Sequence, residues 1–193
     1  SLEKKIKRIK PKIILHTAGL SRPMDVHDKN ISKSIDLNIV GTCNVVKVCK
    51  KYNIKLIYFS TGYVYEGKKG NYSEHDPVKP FNNYGLSKLA GECAVQMYKN
   101  SLILRLTMTE KPFAYKKAYS NLKTNFMFHE DLVNYLPKLM YKKGIINVGG
   151  KSQSVFKFAK KYNSKVKAIR AKKSSRLPLN QTMNLSILRN IIK

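Results

Sequence analysis

The stretch "IKLIYFSTG", residues 54–62, decides the fold. It is a short, nearly continuous apolar run that ends in two hydroxyls and a glycine. A strand buried on both faces of a parallel sheet has this composition. On its N-terminal side, "PKIILHTAG" (11–19) reads as another buried strand, and on its C-terminal side "SLILRLT" (101–107) reads as a third. Between the first two lies "ISKSIDLNIVGTCNVVKVCKKYN" (31–53), in which Ile35, Ile39, Val45, Val46 and Cys49 recur close to helical period. A polar loop with Gly67, Gly70, Pro77 and Pro80 leads to "YGLSKLAGECAVQMYKN" (84–100), a second helix. Strand, helix, strand, helix, strand is the alternation of an α/β doubly wound parallel sheet with right-handed crossovers.

The rest of the chain has a different texture. Residues 108–128 are irregular and aromatic-rich, with Phe113, Tyr115, Tyr119, Phe126 and Phe128. "HEDLVNYLPKLMYKK" (129–143) predicts a helix that Pro137 should kink or end early. "GIINVGG" (144–150) predicts a returning strand, and "SQSVFKFAKKYN" (152–163) an amphipathic helix opened by a Ser cap. The expected division is 1–107, a partial doubly wound domain with the first three strands, and 108–193, a mixed α/β C-terminal part with the returning strand and helix.

With 193 residues and 42% apolar content the chain can bury a real core, and no apolar run approaches a membrane span. The N-terminus "SLEKKIKRIK" has no secretory signal and no initiator Met, which predicts a fragment or trimmed chain. Cys43, Cys49 and Cys93 lack metal or C-x-x-C spacing, so a reducing, cytoplasmic setting is expected. The net charge is +27, and after Asp131 no acid follows while fifteen Lys or Arg do. A field of this sign attracts anions: nucleotides, nucleic acid or an anionic membrane face. A lysine-biased genome decorating a solvated surface would produce the same composition.

Chemistry enters at "NNYGLSKLAGE" (82–92), where Tyr84 and Lys88 fall on one helix face about one turn apart. Alone the spacing is weak. It gains meaning from Ser60 and Thr61 at the C-terminal end of the preceding strand, where open α/β sheets bind ligands. A phenol titrates near 10 and is a poor base at neutrality, and a nearby ammonium favours its phenolate. It can then exchange a proton with a substrate oxygen while a hydride moves at the adjacent carbon, with a Ser or Thr hydroxyl polarising the same oxygen.

These residues stand in a longer series. "HTAG" (16–19), "DLNIVGTCNVV" (36–46), "FSTGYVYEG" (59–67), "NNYGLSKLAGE" (82–92), "FHEDLV" (128–133), "GIINVGG" (144–150) and "RLPLNQTMNLSIL" (176–188) follow one another in order. Together they resemble the extended short-chain dehydrogenase/reductase family, nearest its nucleotide-sugar epimerases and its dTDP-4-dehydrorhamnose reductase branch. The resemblance implies a Rossmann-like fold and an NADP or NAD cofactor. It implies Thr61, Tyr84 and Lys88 as the catalytic set. His16, Thr17, Ala18, Gly19, Asn38 and Ser60 would line the cofactor together with Tyr84 and Lys88. Tyr63, Val64, Arg105 and Arg176 would meet a nucleotide-diphosphate sugar, which is reduced or epimerised, and a homodimer is the candidate assembly.

The departures are specific. Gly62 stands where the family has Asp, and "MTEKPF" (108–113) replaces the common N-V-Y-G-P. The ten glycines permit no G-x-G-x-x-G or G-x-x-G-x-x-G, the turn that holds a dinucleotide pyrophosphate. About two βα units, roughly 50–60 residues, are therefore expected upstream, including the central strand. "GGKS" (149–152) fails as a phosphate loop because Ile145 occupies the required glycine position. "DVHD" (25–28) has no second set of ligands at metal spacing, so no metal is expected, and "NYS" (71–73) carries little weight without a secretory signal. The competing expectation is a non-catalytic scaffold of the same fold that binds nucleic acid or an acidic partner through its basic surface.

Overall fold

The computed structural model describes residues 2–172 and 177–193. Chain order begins with α1 (Leu2–Ile9), β1 (Ile13–His16) and two single-turn helices, α2 (Val26–Lys29) and α3 (Ile31–Ser34). A π-helical turn, Ile35–Val40, joins α3 to α4 (Gly41–Lys51). Then come β2 (Lys55–Thr61), a 3-10 turn at Gly62–Val64, α5 (Asn83–Gln96) and β3 (Ser101–Leu106). The aromatic-rich segment contains β4 (Met108–Thr109), β5 (Lys117–Tyr119), β6 (Lys123–Thr124) and β7 (Met127–Phe128). The chain closes with α6 (His129–Leu139), β8 (Gly144–Val148), β9 (Gln153–Ser154), α7 (Val155–Tyr162), β10 (Lys167–Ile169) and α8 (Ser186–Ile192).

The main sheet has four strands in the order β1-β2-β3-β8, all parallel. Its side chains alternate between two cores, as the pleat requires. Leu56, Tyr58 and Ile103 point into one with Ile6, Cys49 and Val95 from α1, α4 and α5. Ile57, Leu102, Leu104 and Ile146 point into the other with Leu132 and Leu139 of α6 and Leu188 of α8. Each such fully buried side chain contributes roughly 1.5–3 kcal/mol of transfer free energy, which makes β2 and β3 the anchor of the domain.

Four local expectations change. β1 is not a buried strand: among the described residues it pairs only with β2, and Leu15 is 43% exposed. The helix predicted over 31–53 is broken into three pieces by the π turn that carries Asn38. The helix predicted over 129–143 stops at Leu139, with Pro137 in its last turn. The cap of α7 is Ser154, whose side chain accepts from the Lys157 amide, and not Ser152.

The second part of the chain brings its own small core. Phe113, Ala118, Phe128, Val155, Phe158 and Val166 cluster where the β5–β10 pair meets α7. The returning stretch before α8 ties back to the loop after β2: Asn180 N donates to Gly67 O and Asn184 N to Tyr72 O, both at 2.8 Å.

Candidate functional site

The C-terminal ends of β2 and β3 form the floor. Thr61 ends β2, and its Oγ1 accepts from the Tyr63 amide at 3.2 Å, which caps the short turn that follows. Asn82 caps α5 by accepting from the Gly85 amide at 2.8 Å. Two glycines then let α5 lie directly against the strand ends. A Cβ on Gly85 would stand 2.3 Å from Tyr63 O, and one on Gly91 2.4 Å from Tyr58 Oη. This close approach places Tyr84 beside Ser60 and Thr61. The Gly62 substitution has a packing reason here, since any side chain at 62 would meet Thr107 Oγ1 at 2.9 Å and then the Met183 sulfur.

Two cavities meet at Tyr84. A cleft of 270 Å³ is lined by Ser60, Thr61, Tyr63, Tyr84, Arg22 and Glu110, among others. A second cavity of 490 Å³ runs past Thr17, Gly19, Ser60, Tyr84 and Lys88, and His129 borders both. Burial pushes the Tyr84 phenol upward, while the Thr61 hydroxyl and the Arg22 charge pull it back down. Burial also lowers Lys88, to about 8, against the opposing pull of Glu92 one turn further along α5. The Lys88 ammonium lies 4.1 Å from the centroid of the Tyr58 ring, a cation–π contact that keeps it in the site.

Several residues assigned from sequence to the ligand serve the scaffold. Asn38 is 1% exposed; its Oδ1 accepts from Leu20 N at 2.7 Å, and its Nδ2 donates to Leu20 O and Ser87 Oγ, each at 2.9 Å. It therefore clamps the 16–20 turn to α5 instead of opening onto a cavity. His16 lies behind that turn with Nε2 3.1 Å from Thr42 Oγ1, and burial drops its pKa to about 4. Ala18 is exposed, whereas Thr17 and Gly19 do face the larger cavity.

On the substrate side, Tyr63 lines the cleft but Val64 is fully buried in the core. Arg105 is 3% exposed and turned away from both cavities. Its Nη2 donates to Glu92 Oε2 and its Nη1 to the Tyr65 hydroxyl, both at 2.8 Å. Its guanidinium is thus spent inside the sheet and not on a substrate phosphate. Arg176 lies outside the described residues.

Other residues meet around the cleft without having been assigned to it from sequence. Arg22, on the loop after β1, donates through Nη1 to Glu110 Oε1 across 88 positions of sequence. His27 of "DVHD" is 1% exposed, shares a 2.8 Å contact between Nδ1 and Ser34 Oγ, and packs its ring 5.2 Å from that of Tyr84. A third cavity of 820 Å³, lined by Tyr63, Phe81, Phe113, Tyr115 and Phe126, opens beside the cleft with Arg22 in the wall of both.

The donor set fits part of a nicotinamide dinucleotide. Lys88 and Tyr84 border a cavity large enough for a nucleoside, with Thr17 and Gly19 in its wall. For the pyrophosphate, no glycine-rich turn occurs in the sequence.

Comparison with known proteins follows this geometry. A family model described as the RmlD substrate binding domain matches residues 1–127. Methionine adenosyltransferase 2 subunit beta of Xenopus laevis is 36% identical over 102 residues, which is 52% of this chain and 30% of that protein. A dTDP-4-dehydrorhamnose reductase of Aggregatibacter actinomycetemcomitans is 30% identical over 106 residues, 54% of this chain and 36% of the reductase. The chain thus spans about a third of the length of these relatives. Two solved structures superpose on 98% of it. A hypothetical dTDP-4-dehydrorhamnose reductase from Sulfolobus tokodaii has a TM-score of 0.86, 26% identity and 77% of its own chain covered. The Bacillus anthracis dTDP-4-dehydrorhamnose reductase in complex with NADP has a TM-score of 0.85, 25% identity and 76% covered. With the family model matching well over half of the chain and these folds covering nearly all of it, the chain belongs to the RmlD substrate binding domain family.

Proposed function

We propose that this chain carries the proton-transfer and substrate-binding half of an NAD(P)-dependent reductase or epimerase acting on a nucleotide-diphosphate sugar. The observation that carries the reading is the junction of two cavities at Tyr84, with Thr61 on one side and Lys88 on the other. Reducing a ketone needs a hydride at carbon and a proton at oxygen, and a nicotinamide cofactor supplies the hydride when bound. Tyr84 donates the proton, or accepts it in the reverse direction. Thr61 orients the carbonyl oxygen by hydrogen bonding. Lys88, as an ammonium, favours the phenolate left on Tyr84 and is placed to hold a cofactor hydroxyl. Phe113, Tyr115 and Phe126, with Tyr63 and Phe81, supply an aromatic wall for the nucleotide base.

The test is Tyr84→Phe in the complete protein, assayed for NAD(P)H oxidation with a keto-sugar nucleotide. Proton transfer by a positioned side chain contributes about 10²–10⁴-fold, so turnover should fall by that factor while the thermal midpoint holds. Undiminished turnover would remove Tyr84 from the mechanism.

A second reading has its own support. Several relatives are named as a subunit of methionine adenosyltransferase and not as a dehydrogenase. Under it the chain is a non-catalytic scaffold that meets an acidic partner or nucleic acid through its surface of net charge +27. Binding to a generic polynucleotide that weakens steeply with salt favours this reading, and no binding at low salt removes it.

A further inference from the structure

Arg22 stands at the throat between the catalytic cleft and the aromatic cavity, in the wall of each. Its only ion pair among the described residues is with Glu110, from the "MTEKPF" segment that follows β3. The pair is not a buried strut, for the two side chains are 45% and 46% exposed. Nor is Glu110 well satisfied: its Oε2 is shielded from solvent and has no hydrogen-bond partner. The pair holds both groups in their charged forms, yet an ion pair this exposed contributes little, so a better-matched anion can displace Glu110. A guanidinium is also the side chain best matched to a phosphate fork.

The layout around Arg22 has an order. On one side lies the cavity walled by Phe113, Tyr115 and Phe126, suited to a flat base. On the other lie Thr61 and Tyr84, suited to a reacting sugar. A nucleotide-diphosphate sugar has the same order of base, diphosphate and sugar. We infer that Arg22 is the diphosphate-recognition residue of this cleft, and that Glu110 is an internal carboxylate that occupies it until the substrate's anionic group takes its place. Arg22 and Glu110 thereby select for a dianionic linker over a neutral sugar. This inference rests on the nucleotide-sugar reading of the cleft, yet its test needs no turnover.

The experiment is calorimetric titration of inorganic pyrophosphate into the 193-residue chain and its variants. Glu110→Gln frees the guanidinium and should tighten binding about tenfold, the size of one charge-assisted hydrogen bond. Arg22→Gln should weaken binding by a similar factor, and the double variant should match Arg22→Gln alone. Lys161→Gln, at an exposed position on α7, removes the same charge from the general field and should change binding less than about twofold. Equal losses in Arg22→Gln and Lys161→Gln, or no gain in Glu110→Gln, would overturn the assignment. So would the absence of saturable binding in every variant. Tyr84→Phe should leave pyrophosphate binding unchanged, so the anion site and the proton-transfer assignment stand or fall separately.

Discussion

Glu92 of α5 and Arg105 of β3 form a buried ion pair beneath the cleft that Tyr84 lines, with Nη2 donating to Oε2 at 2.8 Å and the side chains 0% and 3% exposed. The same carboxylate accepts from Ser60 Oγ, and the same guanidinium donates to Tyr65, whose hydroxyl also meets Asn147 Oδ1 at 2.8 Å. One network therefore fixes the ends of β2, β3 and β8 relative to the helix that carries Tyr84 and Lys88. It is the physical link between the packing of the sheet and the placement of Tyr84.

Arg105→Met should leave the Glu92 charge unpaired inside the domain. Removing one partner of a buried pair costs about 3–5 kcal/mol, whereas replacing both with apolar residues of similar volume is often nearly neutral. Urea unfolding should show a large fall in midpoint for Arg105→Met and substantial recovery in Glu92→Met with Arg105→Leu. A loss below about 1 kcal/mol for the single variant would mean that the network does not hold the strand ends.

Gly91→Ala should push α5 off the sheet. The added methyl would stand 2.4 Å from Tyr58 Oη and 3.1 Å from Asn38 O. Overpacking of this kind costs about 1–3 kcal/mol. Tyr58→Phe removes the nearest atom and leaves Cζ at 3.0 Å, so the combined variant should lose less than the sum of the two singles in thermal unfolding. Strict additivity would show that the helix relieves the clash elsewhere.

The activity of the complete protein should decline as pH rises through about 8. Burial lowers Lys88 from 10.5 to about 8, so above that pH the ammonium is lost and with it the electrostatic support for the Tyr84 phenolate. Lys88→Arg stays charged throughout this range and should move the alkaline limb of the kcat profile upward, even if its plateau is lower. An alkaline limb that stays near 8 in Lys88→Arg would assign it to another group.

The sequence by itself determined the main elements and where Tyr84, Lys88 and Thr61 stand on them. The apolar runs of β2, β3 and β8 and the helical periods of α4 and α5 are local patterns, readable because burial repeats every two residues in a strand and every 3.6 in a helix. Tyr84 and Lys88 were legible for the same reason, as one turn of one helix, and Thr61 as the end of one strand. Tertiary structure alone decided what depends on contacts between distant segments. Arg105 reads as a substrate-facing arginine until Glu92, on a different element, claims it in the core. Asn38 reads as a cofactor residue until a π turn aims its amide at Leu20 and Ser87. Arg22 and Glu110, 88 positions apart, carry no shared pattern at all. Periodicity records which face of an element is apolar, but a side chain's partner is fixed only when helices and strands pack, because that is what brings opposite charges together away from water.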